Sequence, residues 1–155
     1  MKKNRHRKHG FVLLLLYLVL MTYVLFFAEE MGRNPDIRED YSYNLILFKE
    51  IRRFVVHRDI LGYQAVVLNI LGNMAAFVPF GFILPEVWDQ LNHWYTILIL
   101  GCLFSLGIEV VQLVSRVGSF DVDDILLNTI GALTGYILFV IAKGVWNRYC
   151  GTNRK

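Results

Sequence analysis

Residues 105–136 read SLGIEVVQLVSRVGSFDVDDILLNTIGALTGY. Two apolar segments are joined here by a short polar loop, Gly118-Ser119-Phe120-Asp121-Val122-Asp123-Asp124. On the first segment Ser105, Glu109, Gln112 and Arg116 are spaced four, three and four, which places them on one face of a helix. On the second, Asn128, Gly131 and Gly135 recur at three and four. A carboxylate buried in an apolar run costs several kcal/mol, roughly, unless paired or protonated, so Glu109 is a candidate functional residue. A structural pair with Arg116, or with Asn69 and Asn73, is the competing reading.

The rest of the chain reads as a scaffold for this stretch. The protein has 155 residues, 55% hydrophobic and 19% charged, with mean hydropathy +0.45. One domain of this size cannot hide that much apolar surface from water, and the excess sits in long runs, so the expected fold is an all-α polytopic membrane protein. Four spans are predicted, at about 11–28, 64–84, 95–114 and 125–146, within a single membrane domain of residues 1–155. The first follows Lys2, Lys3, Arg5, Arg7 and Lys8. It is as long as a full span and no small-residue cleavage pattern follows it, so it reads as a retained signal anchor. Cys102 and Cys150 suggest no disulfide framework.

Residues 29–63 form the longest loop, with a turn at Asn34-Pro35. Over 43–58 the apolar residues Leu47, Phe48, Ile51, Phe54 and Val55 recur at helical spacing among Lys49, Arg52 and Arg53. This predicts an amphipathic helix lying in the membrane interface. Its arginines either are simply solvated or meet phosphates of a lipid or lipid-linked substrate.

In the second span Asn69 and Asn73 share a face and should point into the bundle, as helix–helix contacts or as binding groups. Gly72 and Ala76 suit close helix approach. Pro79 predicts a kink or break near Pro79-Phe80-Gly81. A turn is expected at 85–94, where Trp88 and Trp94 with Tyr95 suit an aromatic belt and His93 lies beside them. In the fourth span the face made by Gly131 and Gly135 is expected to press against the third helix, bringing Asp124 and Asn128 toward Glu109.

Asp121, Asp123 and Asp124 precede that last span. One aspartate suffices to cap a helix. The surplus suggests an oxygen-ligand cation site for Mg²⁺, Ca²⁺ or Mn²⁺ rather than Zn²⁺. Basic residues at both ends place the two termini on the cytoplasmic side of a bacterial membrane, with loops 29–63 and 115–124 facing out. The basic residues within 29–63 run against that assignment.

Several blocks in order resemble the VanZ family of bacterial membrane proteins. They are Asn44-Leu45-Ile46-Leu47-Phe48; Asn69-Ile70-Leu71-Gly72-Asn73 with Phe77-Val78-Pro79-Phe80-Gly81; Glu109-Val110-Val111-Gln112; Arg116; Phe120-Asp121-Val122-Asp123-Asp124; and Asn128 with Gly131 and Gly135. The resemblance spans roughly residues 40–140. It implies a bacterial cell-envelope protein and an association with lowered susceptibility to teicoplanin, a lipoglycopeptide acting on lipid-linked wall precursors. It supplies no reaction.

Three functions fit. In the first, an outward polar pocket binds a lipid-linked envelope precursor or a lipid head group. Arg116 with Arg52 or Arg53 would meet phosphate, and Asn69, Asn73, Gln112 and Asn128 would supply neutral hydrogen bonds. In the second, a membrane enzyme uses Glu109 or one of Asp121, Asp123 and Asp124 as general base and Arg116 to stabilise negative charge. The third is a small transporter or flippase built on the broken second helix, for which an oligomer would be needed. Nucleic acid is not an expected partner, because the basic runs flank membrane spans where anionic lipid is the natural counterpart.

Overall fold

The computed structural model describes residues 2–27, 41–116 and 118–151. The turn expected at Asn34-Pro35 lies outside the described residues. Among the described residues six α-helices follow in chain order: α1 (Lys2–Phe27), α2 (Lys49–Val56), α3 (Arg58–Leu61), α4 (Tyr63–Val87), α5 (Trp94–Ser115) and α6 (Val122–Gly151). Two short strands, β1 (Tyr43–Asn44) and β2 (Phe120–Asp121), pair in parallel. The segments Arg7–Val24, Val66–Val87, Trp94–Ser115 and Val122–Tyr149 are long and apolar enough to cross a membrane. The chain is an all-α polytopic membrane protein with one short amphipathic helix beside its spans. In lipid every backbone polar group must be satisfied within the chain, which is why the apolar runs are helical. Their outward side chains, such as Leu16, Leu68, Leu103 and Val114, are exposed, as lipid contact requires.

The helices meet around aromatic packing. Phe77 and Phe80 of α4 lie against Phe104 of α5, with Phe80 and Phe104 stacked at 5.0 Å between centroids. Leu14, Tyr17 and Met21 of α1 close the same cluster from the other side. Helix α6 packs extensively against both α4 and α5, which approach each other far less closely.

Three expectations are corrected here. Gly131 and Gly135 face α4, not α5. A Cβ on Gly131 would lie 2.1 Å from the Met74 carbonyl oxygen, and one on Gly135 would lie 2.0 Å from that of Val78. The matching glycine on α4 is Gly81, where a Cβ would lie 1.8 Å from the Ala132 oxygen, whereas Gly72 has open space around it. On the α5 side the close approach to α6 comes at Gly101, against Ala132.

Second, α4 runs unbroken through Pro79 and Pro85 and ends at Val87, inside the stretch read as a turn. Pro79 leaves the Ala75 carbonyl without its usual donor. Next to it, the Tyr17 hydroxyl of α1 donates to the Ala76 carbonyl at 3.0 Å. A neighbouring helix thus supports the backbone beside the proline, which is how membrane helices tolerate one. The broken helix proposed for a transport path is absent.

Third, the amphipathic helix begins only at Lys49. Asn44 is in β1, and its side-chain oxygen accepts the Ile46 N–H at 3.2 Å. Phe48 then adopts a left-handed conformation (φ 64°) that no helix can include.

Candidate functional site

The acidic loop and the segment around α2 are brought together at one end of the bundle by the two short strands. Tyr43 pairs with Phe120 and Asn44 with Asp121. The Phe120 N–H donates to the Ser42 carbonyl at 3.0 Å, and the Ser42 and Ser119 hydroxyls share a hydrogen bond at 3.0 Å. Gly118 lets the loop fold over α5: a Cβ there would sit 3.2 Å from the buried Gln112 side chain.

Each acidic residue has a distinct role as an acceptor. Glu109, 3% exposed, accepts the Asp121 N–H at 2.9 Å. Asp121 in turn accepts the Asp123 N–H at 2.8 Å and the Asn44 amide at 3.0 Å through one oxygen. The first of these bonds is an N-cap for α6. Burial raises the pKa of the Asp121 carboxyl above its ordinary value. The Asp123 N–H and the Asn44 amide oppose that shift, the charge of Asp123 adds to it, and Arg53 opposes it. Asp124 accepts from the Asn73 amide across the α4–α6 contact. This satisfies the expectation that Asn73 points into the bundle.

Asp123 does something the sequence did not suggest. It is 1% exposed, and its two oxygens accept three backbone N–H groups of another element. One oxygen takes Phe48, and the other takes Glu50 at 2.9 Å and Ile51 at 3.2 Å. It therefore caps α2 from α6, since α2 has no side-chain cap of its own. The three aspartates, a surplus when only one helix start is considered, serve two helix starts and one helix–helix contact. Among the described residues no group of three or more His, Cys, Asp or Glu side chains is disposed to hold a metal ion.

Arg116 leaves the stripe that its spacing predicts. Helix α5 ends at Ser115, and Arg116 is left-handed (φ 59°) with its N–H on the Leu113 carbonyl. Its guanidinium carbon then lies 4.7 Å from the centroid of the Tyr41 ring, with a long 3.5 Å hydrogen bond to the Tyr41 hydroxyl. It stacks on the Tyr41 ring. Arg52 and Arg53 are both exposed on α2. Arg53 pairs with Glu50 at 2.9 Å and lies over the Phe54 ring.

Deeper in the bundle the Asn128 amide donates to the Ser105 hydroxyl at 2.9 Å, joining α6 to α5. The side-chain oxygen of Asn128 is buried without a hydrogen-bond partner among the described residues. Asn69 lies half-buried on α4, one turn before Asn73. Sequence reasoning assigned no role to Ser42, Asn44, Ser119 or Tyr41. Asn44 ahead of the apolar run 45–48 was the one available signal.

A family model described as VanZ/LLP1 matches residues 14–143. Protein VanZ of Enterococcus faecium is 25% identical over 83 residues, which are 52% of this chain and 49% of that protein. The chain thus matches about half the length of that relative. No solved structure matches the chain.

Proposed function

The chain belongs to the VanZ/LLP1 family, and from that premise we propose that it binds a phosphate-bearing lipid head group at the α2 end of the bundle. The ligand class is a lipid-linked envelope precursor or an anionic lipid of the bacterial cytoplasmic membrane. The loop end faces outward and both termini are cytoplasmic, as the basic N-terminal stretch and tail favour. Holding such a component would lower sensitivity to teicoplanin-type lipoglycopeptides that act on it.

One observation carries this reading. At the loop end Glu109, Asp121, Asp123 and Asp124 all accept hydrogen bonds within the protein, whereas Arg52 stands exposed on α2 beside Arg53, which is exposed as well and paired with Glu50. The loop end also exposes Leu45, Ile46, Val55 and Val56. Exposed guanidinium groups beside apolar side chains suit a phosphate at the lipid interface. Arg116, fixed on Tyr41 at the edge of β1, would add a third cation.

Native mass spectrometry of gently purified protein tests this. The wild type should retain a phosphate-bearing lipid, and Arg52→Ala/Arg53→Ala/Arg116→Ala should lose it while staying folded. A wild type that carries no such lipid, or a triple variant that keeps it, would overturn the reading.

A membrane enzyme is the second reading. It is favoured by Asp121, whose buried carboxyl is shifted toward the protonated form beside buried Glu109. It requires chemical turnover of the bound lipid in proteoliposomes, abolished in Glu109→Gln.

A further inference from the structure

Helix α2 is eight residues long and has no buried residue. A helix that short is not stable alone in water. Ile51 and Phe54 are its half-buried apolar residues, and its first turn lacks a local cap. What fills that gap is the Asp123 carboxylate, from the start of the 30-residue α6. An anion at a helix N-terminus also meets the positive end of the helix dipole. The entry to α2 is strained, because Phe48 is a bulky residue at φ 64°. The N–H of that same residue is held by Asp123.

The contacts continue inward. The Asp123 N–H is held by Asp121, and the Asp121 N–H by Glu109 within the α5 span. With 1% of its surface exposed and both oxygens engaged, Asp123 does not reach a ligand in this arrangement.

We infer that Asp123 is a positioning residue: its carboxylate, capping α2 from α6, fixes the Arg52/Arg53 face of α2 relative to the membrane spans, so head-group binding depends on a side chain that does not touch the head group. The inference rests on the phosphate-binding reading above. It also explains why an aspartate rather than an asparagine stands at 123. Two acceptor oxygens are needed for N–H groups on both sides of the carboxyl, and an amide would turn a donor toward one of them.

The test uses the full chain in phosphatidylcholine nanodiscs, with phosphatidic acid as the probe lipid. Amide hydrogen exchange across residues 48–51 and probe affinity by native mass spectrometry are measured on the same preparations. Asp123→Asn should speed exchange at 48–51 and weaken phosphatidic acid binding by about tenfold each, the scale of one lost hydrogen bond to a charged group. Exchange in α4 and α6 should stay slow, which shows that the bundle is folded. Asp124→Asn, which removes the neighbouring carboxylate that accepts from Asn73 of α4, should change neither α2 exchange nor affinity. Unchanged exchange at 48–51 in Asp123→Asn would overturn the positioning role. So would faster exchange with unchanged affinity while Arg52→Ala/Arg53→Ala abolishes binding, and in that case the phosphate-binding reading survives. If Arg52→Ala/Arg53→Ala also binds normally, both fall.

Discussion

Gly135→Ala is the sharpest test of how this bundle is packed. The added Cβ would lie 2.0 Å from the Val78 carbonyl oxygen, where ordinary contact begins at 3.4 Å. The atoms it meets next, the Val78 carbonyl carbon at 2.9 Å and the Phe82 nitrogen at 3.0 Å, are also backbone. No side chain can swing aside, so α6 must move away from α4 by roughly 1.4 Å, the shortfall from ordinary contact. Overpacking of this kind costs about 1–3 kcal/mol, and clashes with backbone on a rigid helix fall at the upper end. The substitution regains up to about 1 kcal/mol of helix propensity. The expected net loss is therefore about 2 kcal/mol. At about 2–4 °C per kcal/mol for a chain of this size, the melting temperature should fall by roughly 4–8 °C. Gly72→Ala is the internal control, since nothing lies within 4 Å of its added Cβ. It gains the same propensity without the clash and should melt at or slightly above the wild type. Thermal unfolding of the three proteins in one detergent, followed by tryptophan fluorescence, gives the comparison. If Gly135→Ala melts with Gly72→Ala, the α4–α6 backbones are not in contact there and the packing argument fails.

Other predictions follow from single contacts. Gly81→Ala, facing the Ala132 oxygen at 1.8 Å, should destabilise at least as much as Gly135→Ala in the same assay. Tyr17→Phe removes the hydroxyl from the Ala76 carbonyl and should cost about 1 kcal/mol, read as a small drop in melting temperature without loss of expression. Asp124→Asn should cost about 1–2 kcal/mol by replacing a charged acceptor for Asn73 with a neutral one; an unchanged melting curve would show that the charge contributes nothing there. Asp121 has a pKa raised by burial from its ordinary 3.8, so it binds its proton more tightly when folded. Its contribution to stability is therefore greatest below about pH 4 and is lost as pH rises through its folded pKa. Asp121→Asn, which keeps an acceptor oxygen and removes the charge, should gain on the wild type in thermal stability as pH is raised from 4 to 7. A constant difference across that range would refute the assignment.

The spans were legible because lipid leaves the backbone no alternative to internal hydrogen bonding, so length and hydropathy suffice to locate them. The small-residue face at Gly131 and Gly135 was legible as a packing surface, but its partner was not. Spacing on one helix says which residues share a face and nothing about which neighbour that face meets. The two corrections within the site share a cause. Arg116 departs from its stripe, and the amphipathic helix starts late, because Arg116 and Phe48 each take a left-handed conformation. Neither residue type favours that region, so only tertiary contacts place it there: the Tyr41 ring under Arg116 and the Asp123 carboxylate on the Phe48 N–H. The acidic loop was recognised as unusual, but the reason for its three aspartates lay in segments up to 77 positions away in the chain.

By itself the sequence determined a four-span helical membrane protein, the polar stripe on its third span and the acidic turn that follows. Local periodicity and transfer from water to lipid act residue by residue, and both can be read in one dimension. The tertiary structure alone decided that α6 packs through glycines on α4, that Asp123 caps a helix in another loop, and that the carboxylates are engaged while the arginines of α2 stand exposed. Those outcomes depend on which donors reach which acceptors once the chain has closed, and pairing at that distance leaves no periodic trace in the sequence.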